Sequence, residues 1–288
     1  MKTRFVVVAF AILAWALGTA WARAIGQQSS PRRYEVYAIR YGVLPDFQVA
    51  DLLKGADTSR RLDIPMMFWL LKGPDGRNIL VDSGFYRDTL VKQWTVKDFV
   101  RPSEAIAKVG LRPGDITDVV VTHMHWDHAG GVDLFPNAVV WVQRDEYAYY
   151  TGEAWQSKQT HGGIEPDDVL ALVKLNTAGR LRLINGDDQE PIAGIRCYLG
   201  GRHTWASQYL TVATRSGTVV LASDNVYLYE NLDTHAPIAQ TLDEASNLKA
   251  QDRMRGLASD VRLIVPGHDP AVFTRFPQPG NGVARIGQ

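Results

Sequence analysis

The sequence predicts an α/β fold for a single domain over residues 25–288. Short apolar segments with the composition of β-strands alternate with helical patterns throughout this range. Several of these segments are followed at once by histidine or aspartate, and an α/β sheet usually carries its chemistry at such strand ends. The chain is 45% hydrophobic and 22% charged, an ordinary globular composition, and no Pro- or Ser-rich linker divides it.

The strands are predicted from short runs rich in Val, Ile and aromatic residues between turn signals. These runs are Tyr34 to Tyr41, Met66 to Leu71, Ile79 to Val81, Val119 to Thr122, Val139 to Val142, Ile195 to Leu199, Tyr209 to Thr214, Val219 to Ala222 and Leu263 to Val265.

Helices are predicted at Ser103 to Val109, Asp145 to Tyr150 and Leu242 to Leu257. In the last of these, Leu248, Met254 and Leu257 roughly share one face, which we interpret as core packing. Residues 43–64 and 151–168 are expected to be long connections that cover a functional site.

The first 24 residues differ from the rest and predict a signal peptide. Lys2 and Arg4 precede the apolar run 5–17, and Ala22-Arg23-Ala24 offers a small-x-small cleavage site. This run is too short to span a bilayer, which needs about 20 apolar residues. We therefore expect a periplasmic or secreted protein without a stable membrane anchor.

We expect the mature protein to begin near Ile25, because signal peptidases cleave after a small-x-small motif. N-terminal sequencing of protein taken from its native compartment tests this, and Gly18-Thr19-Ala20 is the alternative cleavage motif. An intact Met1 on membrane-bound protein would favour an anchor instead.

The charge and cysteine content exclude some classes of function. Removal of the leader takes away three basic residues and no acidic one, which leaves 28 basic against 31 acidic residues and a net charge of −3. With no Lys/Arg run to follow phosphates, the sequence argues against nucleic-acid binding. The single cysteine, Cys197, cannot form an intramolecular disulfide and lies in a strand pattern, so we expect a buried, unreactive thiol.

Candidate metal ligands are concentrated directly after a predicted strand, in the segment His123-Met124-His125-Trp126-Asp127-His128. Three imidazoles and a carboxylate suit zinc and its first-row neighbours, whereas the absence of Cys argues against a closed structural zinc site. Gly130-Gly131 follows and indicates a turn or a close backbone approach. The pattern predicts a metal site at a strand end.

Three more candidate ligands follow predicted strands: His203, Asp224 and His268. Because five of the seven histidines occupy such positions, metal binding is favoured over a scatter of surface histidines. His161 and His235 do not follow a strand, and we expect them to be loop residues.

Together these residues resemble the His-x-His-x-Asp-His signature of the metallo-β-lactamase superfamily, and the resemblance covers most of the chain after the leader. It implies an αββα sandwich, in which two mixed β-sheets are flanked by helices. It also implies two divalent metal ions, zinc foremost, with iron, manganese or cobalt as alternatives. The implied ligands are His123, His125 and His203 for the first metal, Asp127, His128 and His268 for the second, and Asp224 as the bridge between them.

Two further segments bear on this resemblance. Asp82, in the segment Ile79 to Gly84, looks like part of the family's Asp-Thr-Gly-type turn, which implies that it supports the ligands without binding metal. Around His203 the family often has Gly-His-Thr-Pro-Gly-Ser, whereas this chain has Arg202 before the histidine and Trp205 after it. We expect an unusual pocket wall beside the first metal, with Trp126 and Trp205 as candidate apolar surfaces.

Two divalent metals held about 3.5–4 Å apart can bridge one water molecule and lower its pKa to near 7. Such a centre provides hydroxide at neutral pH without a nucleophilic Ser or Cys. It suits hydrolysis of esters, lactones, amides, thioesters or phosphoesters. The resemblance further implies that Asp127 passes a proton to the leaving alkoxide.

The position of Tyr227, three residues after Asp224, favours one of these substrate classes. This spacing is similar to that of N-acyl homoserine lactonases, in which the phenol hydrogen-bonds the substrate carbonyl or the developing oxyanion. The alternative is that Tyr227 simply packs beside Tyr229. We therefore expect Asp127 and Tyr227 to act in the opening of a lactone ring by a metal-bridging hydroxide, with N-acyl homoserine lactones and quorum quenching as the implied case.

Other interpretations of the sequence stay open. The same site suits a glyoxalase II-like thioester, a β-lactam or a phosphotriester, although the chain ends about 20 residues after His268 in a Pro/Gly-rich tail rather than a basic helical extension. A non-catalytic metal-binding protein is opposed by the complete ligand set. The expected partner is a small lactone or ester; acyl-chain preference and oligomeric state are not indicated.

Overall fold

A computed structural model of the chain describes residues 32–157 and 161–288. The predicted leader over residues 1–24 lies outside them. Contacts among the described residues group Arg33–Gln288 into one unit. Within the described ranges no helix has the length and apolar character needed to cross a membrane.

The first sheet has seven strands in the order β12-β1-β2-β3-β4-β5-β6. The strands β3 to β6 run parallel to one another, and the other neighbours are antiparallel, so the sheet is mixed. The bounds are β1 Glu35–Gln48, β2 Arg61–Lys72, β3 Asn78–Val81, β4 Asp118–Val120, β5 Val139–Gln143, β6 Leu181–Ile184 and β12 Val283–Gly287.

The second sheet has five strands in the order β11-β10-β9-β8-β7. Only β10 and β11 are parallel, so this sheet is mixed too. The bounds are β7 Gln189–Ile192, β8 Ile195–Leu199, β9 Gln208–Thr214, β10 Gly217–Ser223 and β11 Ile264–Pro266.

The described α-helices are α1 Asp88–Gln93, α2 Pro102–Ala105, α3 Trp126–Ala129, α4 Arg144–Tyr150, α5 Pro166–Thr177, α6 Tyr229–Thr234, α7 Glu244–Leu257 and α8 Val272–Arg275. Short 3-10 helices lie at Val49–Asp51, Ile106–Val109, Pro113–Asp115, Val132–Leu134, Glu153–Gln156 and Val261–Leu263.

Three apolar clusters define the layers. Between the sheets, Val81 and Val120 of the first sheet are buried together with Leu210 and Leu221 of the second. One further cluster covers the other face of the first sheet, and it includes Leu172 of α5 among others. The third covers the outer face of the second sheet and includes residues of α7. Burial on both faces of both sheets gives the αββα sandwich that the sequence predicted.

Most predicted strands are confirmed, but the segment 43–64 is not the connection that the sequence predicted. β1 continues to Gln48 and β2 begins at Arg61, so the two strands form one long hairpin. The register of this hairpin shifts between Leu44 and Phe47. Such bulges interrupt the alternation of apolar and polar residues, and the sequence therefore looks like a loop.

The structure adds elements that the sequence did not predict. The strands β6, β7 and β12 are short, and β12 lies in the tail that looked irregular because of its Pro and Gly residues. The predicted connection 151–168 ends where α5 begins at Pro166, and residues 158–160 are outside the described part. Cys197 is fully buried in β8, as expected, and burial raises the pKa of its thiol.

Candidate metal centre

The seven predicted ligands come together where strands of both sheets end. His123 and His125 follow β4, His203 lies in the turn after β8, and the remaining ligands follow β10 and β11 or lie at α3. In the described residues, potential ligand atoms lie within 4.8 Å of one another in two groups. The first group is His123, His125, His203 and Asp224; the second is Asp127, His128 and His268.

A close backbone approach lets α3 reach the centre. A Cβ atom on Gly131 would lie 2.3 Å from the carbonyl oxygen of Ser83, so only glycine fits there. The backbone N–H of Ser83 donates to the carbonyl of His128 over 2.8 Å. This confirms the close approach that Gly130-Gly131 indicated, and it fixes the helix that carries Asp127 and His128.

The first group has three converging imidazole nitrogens. Nε2 of His203 lies 2.8 Å from Nδ1 of His125, and Nε2 of His123 lies 3.1 Å from the same atom. Burial lowers the pKa of all three rings, and that of His125 to about 3. The imidazoles are therefore neutral at physiological pH, which is the form that binds metal.

The outer nitrogens of two of these rings are held by hydrogen bonds. Nδ1 of His203 donates to the carbonyl of Gln240 over 2.7 Å, and Nδ1 of His123 donates to the Thr122 hydroxyl over 3.0 Å. Each bond places the proton on Nδ1 and leaves the lone pair of Nε2 directed at the centre.

The second group is oriented in the same way. Nδ1 of His128 donates to Asp82 over 2.8 Å, and Nδ1 of His268 donates to the carbonyl of Pro65 over 3.1 Å. Nε2 of His128 lies 3.4 Å from Oδ2 of Asp127. Two ring nitrogens and one carboxylate oxygen thus face each other.

Asp224 lies between the two groups. Its Oδ2 is 3.4 Å from Nε2 of His203, whereas its Oδ1 is 3.3 Å from Nε2 of His128 and 3.2 Å from Nε2 of His268. Both Nε2 of His128 and Oδ1 of Asp224 are buried without a hydrogen-bond partner among the described residues. Buried polar atoms rarely lack a partner, so this donor set fits two cations that share Asp224.

The carboxylates also set the charge of the second group. Burial disfavours the imidazolium form of His268, but Asp224 and Asp127 outweigh it and raise the pKa of this ring. The pKa of His128 is raised in the same way, with Asp82 contributing. A negative potential that favours imidazolium favours a divalent cation as well.

Asp82 supports the ligands, as the sequence implied. It is fully buried, and besides His128 it accepts hydrogen bonds from the backbone N–H of Thr122 over 2.7 Å and from the Thr122 hydroxyl over 2.9 Å. Since the same hydroxyl accepts from His123, Asp82 orients one histidine of each group. Its φ of +64° is unusual for a non-glycine residue, and such strain is typical of functional sites.

Glu146 is the main supporting residue that the sequence interpretation missed. This buried carboxylate of α4 accepts hydrogen bonds from the backbone N–H groups of Met124 (3.0 Å) and Ala206 (2.6 Å) and from the hydroxyl of Thr204 (2.6 Å). It joins the loop of His123 and His125 to the loop of His203. Burial raises its pKa to about 7. No sequence pattern indicates this role for Glu146, because two of its three hydrogen-bond donors are backbone N–H groups, which almost any residue supplies.

Tyr227 lies beside the first group. Its hydroxyl is 3.4 Å from Nδ1 of His203, and its ring centroid is 5.8 Å from that of His268. Burial and the charges of Asp224 and Asp127 raise the pKa of the phenol well above its usual value, so it keeps its proton. Since Nδ1 of His203 donates to Gln240, the phenolic proton is free to serve another acceptor.

A cavity of about 230 Å³ opens beside both groups. Its polar wall includes Asp127, Asp224 and Tyr227. The other side is apolar and is lined by Leu44, Phe47, Leu52, Ile64, Met66, Trp94 and Trp126. The rings of Trp94 and Trp126 stack with centroids 5.6 Å apart. The hairpin of β1 and β2 therefore supplies much of the wall.

The remaining predicted residues lie at the edges. His161 stacks on Trp155 with centroids 4.3 Å apart, and exposed His235 pairs with Asp252 over 2.9 Å. Neither belongs to a ligand group of the described residues. Trp205 is 38% exposed and lines a second cavity rather than the first.

Residues 67–268 match the sequence profile of the metallo-beta-lactamase superfamily. The chain is similar to an N-acyl homoserine lactonase of Bacillus sp., with 30% identity over 225 residues that cover 72% of this chain and 82% of the relative. It is also similar to an N-acyl homoserine lactonase of Rhizobium johnstonii, with 25% identity over 232 residues covering 74% and 85%.

Solved structures share the fold. The crystal structure of a quorum-quenching N-acyl homoserine lactone lactonase superposes with a TM-score of 0.68 at 23% identity, covering 84% of this chain and 94% of the other. The hydrolase AbOPH of the beta lactamase superfamily superposes with a TM-score of 0.65 at 18% identity, covering 91% and 99%.

Proposed function

Because this chain belongs to the metallo-beta-lactamase superfamily, we propose that it is a metal-dependent hydrolase that opens the lactone ring of N-acyl homoserine lactones. The observation that carries the proposal is the position of Tyr227, whose protonated hydroxyl lines the same cavity as Asp127 and Asp224. Two relatives that are named N-acyl homoserine lactonases match 72% and 74% of this chain.

The ligand set supports two divalent ions, and we propose zinc. The first would be held by His123, His125 and His203 and the second by Asp127, His128 and His268, with Asp224 shared. When bound, such ions activate water at neutral pH and polarise a carbonyl. Zinc is consistent with the imidazole and carboxylate donors and with the absence of cysteine. Elemental analysis of protein purified without chelator should approach two metal equivalents per chain.

The chain's own side chains have distinct roles in this proposal. The Tyr227 hydroxyl donates to the lactone carbonyl oxygen as negative charge develops there. Ring opening adds the oxygen of a water molecule to the acyl carbon and breaks the bond between that carbon and the ring oxygen. Asp127, which lines the cavity, is the carboxylate placed to pass the proton lost by the water to that leaving oxygen. The products are a carboxylate and an alcohol on one molecule.

The apolar wall favours an acyl substituent over a compact polar one. Leu44, Phe47 and Ile64 of the hairpin line the cavity together with the stacked Trp94 and Trp126. A methylene chain buried against such surfaces contributes about 0.8 kcal/mol per CH₂. The wall thus explains why an acylated lactone would bind better than a bare ring.

A substrate panel tests the proposed activity. The metal-loaded protein is incubated with N-acyl homoserine lactones, a glutathione thioester, a β-lactam and a phosphotriester, and kcat/KM is compared across the panel. The highest kcat/KM should belong to the lactones, and a higher value for any other class would assign the site to that substrate instead.

We expect Tyr227→Phe to lower kcat for lactones by roughly 10², the scale on which loss of one oxyanion donor acts. The variant removes a single hydroxyl and keeps the ring that packs near His203 and His268. Steady-state kinetics with metal analysis on the same sample measure the effect. Tyr229→Phe, whose phenol has no hydrogen-bond partner among the described residues, is the matched control. If Tyr227→Phe keeps the wild-type kcat for every lactone and the wild-type metal content, then Tyr227 has only a packing role.

We also propose that the protein acts outside the cytoplasm. The support is the pattern of residues 1–24, with basic residues before an apolar run and a small-x-small motif after it.

A further inference from the structure

A second cavity, of about 610 Å³, borders the first ligand group. It shares His125, Gly162 and Gln240 with the first cavity, so both are lined by the same ligand loop. Its remaining wall includes Tyr149, Arg202, His203, Trp205 and Leu242. The size is that of a site for a small molecule.

One cation in this wall is held by aromatic stacking. The rings of Tyr149 and Trp205 are parallel to within 9° with centroids 4.0 Å apart, and the guanidinium carbon of Arg202 lies 4.8 Å from the Trp205 centroid. Stacking restricts the side chain of Arg202, which otherwise has many rotamers. Both Arg202 and Trp205 lie where the chain departs from the usual family sequence.

The backbone also fixes Arg202. Its φ is +54°, a left-handed conformation that costs energy in any residue with a Cβ atom. The backbone N–H of Leu242 donates to the Arg202 carbonyl over 2.8 Å and stabilises this conformation. Because Arg202 directly precedes His203, the same turn sets the position of a cation and of a predicted metal ligand.

The charge of Arg202 is not neutralised within the described part of the chain. Arg60, Arg87 and Arg196 form ion pairs with carboxylates, whereas no ion pair of the described residues involves Arg202. Its Nε atom is buried and has no hydrogen-bond partner there. A guanidinium with free N–H groups matches the geometry of a carboxylate and binds it through two parallel hydrogen bonds.

We propose that Arg202, stacked on Trp205, forms a carboxylate-binding subsite of the second cavity. The inference rests on the proposed lactonase function and extends its substrate class. The carboxylate comes either from the end of the substrate's acyl group or from the ring-opened product, which gains one in the reaction.

Paired substrates test the first source. N-Acyl homoserine lactones whose acyl groups end in a carboxylate, from succinyl to suberoyl, are each compared with the analogue that ends in a primary amide. The wild-type protein should prefer the acid at one or more chain lengths through a lower KM, and Arg202→Met should reduce the acid-to-amide ratio of kcat/KM about tenfold. The acid-to-amide ratio of Arg202→Lys should lie between those of the wild type and Arg202→Met, since lysine keeps the positive charge but lacks the paired N–H donors of the guanidinium.

Product inhibition tests the second source. The inhibition constant of ring-opened N-hexanoyl homoserine is compared with that of its primary amide, and Arg202→Met should raise the first about tenfold relative to the second. Arg182→Met is the control for net charge, because Arg182 is exposed on β6 and lines neither cavity. The subsite is supported if Arg202→Met lowers the acid-to-amide ratio of kcat/KM by threefold or more, or raises the acid-to-amide ratio of inhibition constants by threefold or more, on the order of the loss of one hydrogen bond. Smaller changes in both ratios overturn it.

A binding measurement separates this inference from the lactonase proposal. Lactam analogues of the same acid and amide pairs are titrated calorimetrically into wild-type protein and Arg202→Met. The wild-type protein should bind the lactam acid at least threefold more tightly than the lactam amide, on the order of one hydrogen bond, and Arg202→Met should not. If this result is obtained while no lactone is hydrolysed, the proposed reaction fails and the subsite stands. Circular dichroism and metal content verify that each variant is folded.

Discussion

Replacement of Asp224 by alanine is expected to lower kcat/KM for lactones by about 10³-fold or more and to remove at least one metal per chain. Its two carboxylate oxygens face different ligand groups, Oδ2 near His203 and Oδ1 near His128 and His268. One substitution therefore removes a donor from both groups. A metal ion contributes several kcal/mol of transition-state stabilisation, and each 1.36 kcal/mol is a factor of ten in rate.

Elemental analysis and lactone kinetics on the same preparation measure this result. Asp224→Asn keeps one carbonyl oxygen and should retain more metal than the alanine variant. Asp233→Ala, an exposed carboxylate of α6, is the matched control and should behave as wild type. Two metal equivalents together with wild-type kcat/KM in Asp224→Ala would exclude a shared carboxylate from the mechanism.

Glu146→Leu is expected to lower the free energy of unfolding by at least about 3 kcal/mol, because a buried donor left without an acceptor costs about 1–3 kcal/mol. The substitution leaves three such donors, the N–H groups of Met124 and Ala206 and the hydroxyl of Thr204. The loops that carry His123, His125 and His203 lose their common anchor, so metal affinity should fall about 10–100-fold. Urea denaturation and titration against a metal chelator give the two quantities.

Two related variants separate the hydrogen bonds from the volume of the side chain. Glu146→Gln keeps the shape and one acceptor, and its stability should lie between those of wild type and Glu146→Leu. Asp145→Leu changes the exposed neighbour on α4 and should leave both quantities unchanged. If Glu146→Leu unfolds within about 0.5 kcal/mol of wild type, the range of an ordinary surface change, then the carboxylate does not hold the loops together.

The family resemblance implied the αββα layers of this fold, and the strands within them were predicted from short apolar runs between turn signals. β4 contains Val119-Val120 and β10 contains Val219-Val220-Leu221-Ala222, and such uninterrupted apolar runs are typical of strands covered on both sides. The sequence did not predict the far half of β1, where a register shift beside Leu44 breaks the periodicity, nor the edge strand β12, which has few residues and a Pro/Gly-rich approach. Their pairing depends on neighbours distant in sequence.

The residues of the candidate site were also predicted only in part. The predicted ligands were recognisable because each follows a strand and carries a metal-binding side chain. Glu146 and Arg202 carry no such pattern, since one acts on backbone groups of two loops and the other through stacking on Trp205. The departure from the family sequence predicted Trp205 as a candidate apolar wall, but no sequence pattern predicts its stacking on Tyr149.

The pairing of β12 with β1 brings the two ends of the described fold side by side, with Val36 opposite Gly287. A short linker could therefore join these ends, and new termini could be opened at an exposed turn such as the one at Asp75 and Gly76. β1, the first described strand, also gains its second neighbour only after β12 has been synthesised. The outer edge of β1 thus stays uncovered until then, which delays closure of the first sheet in a growing chain.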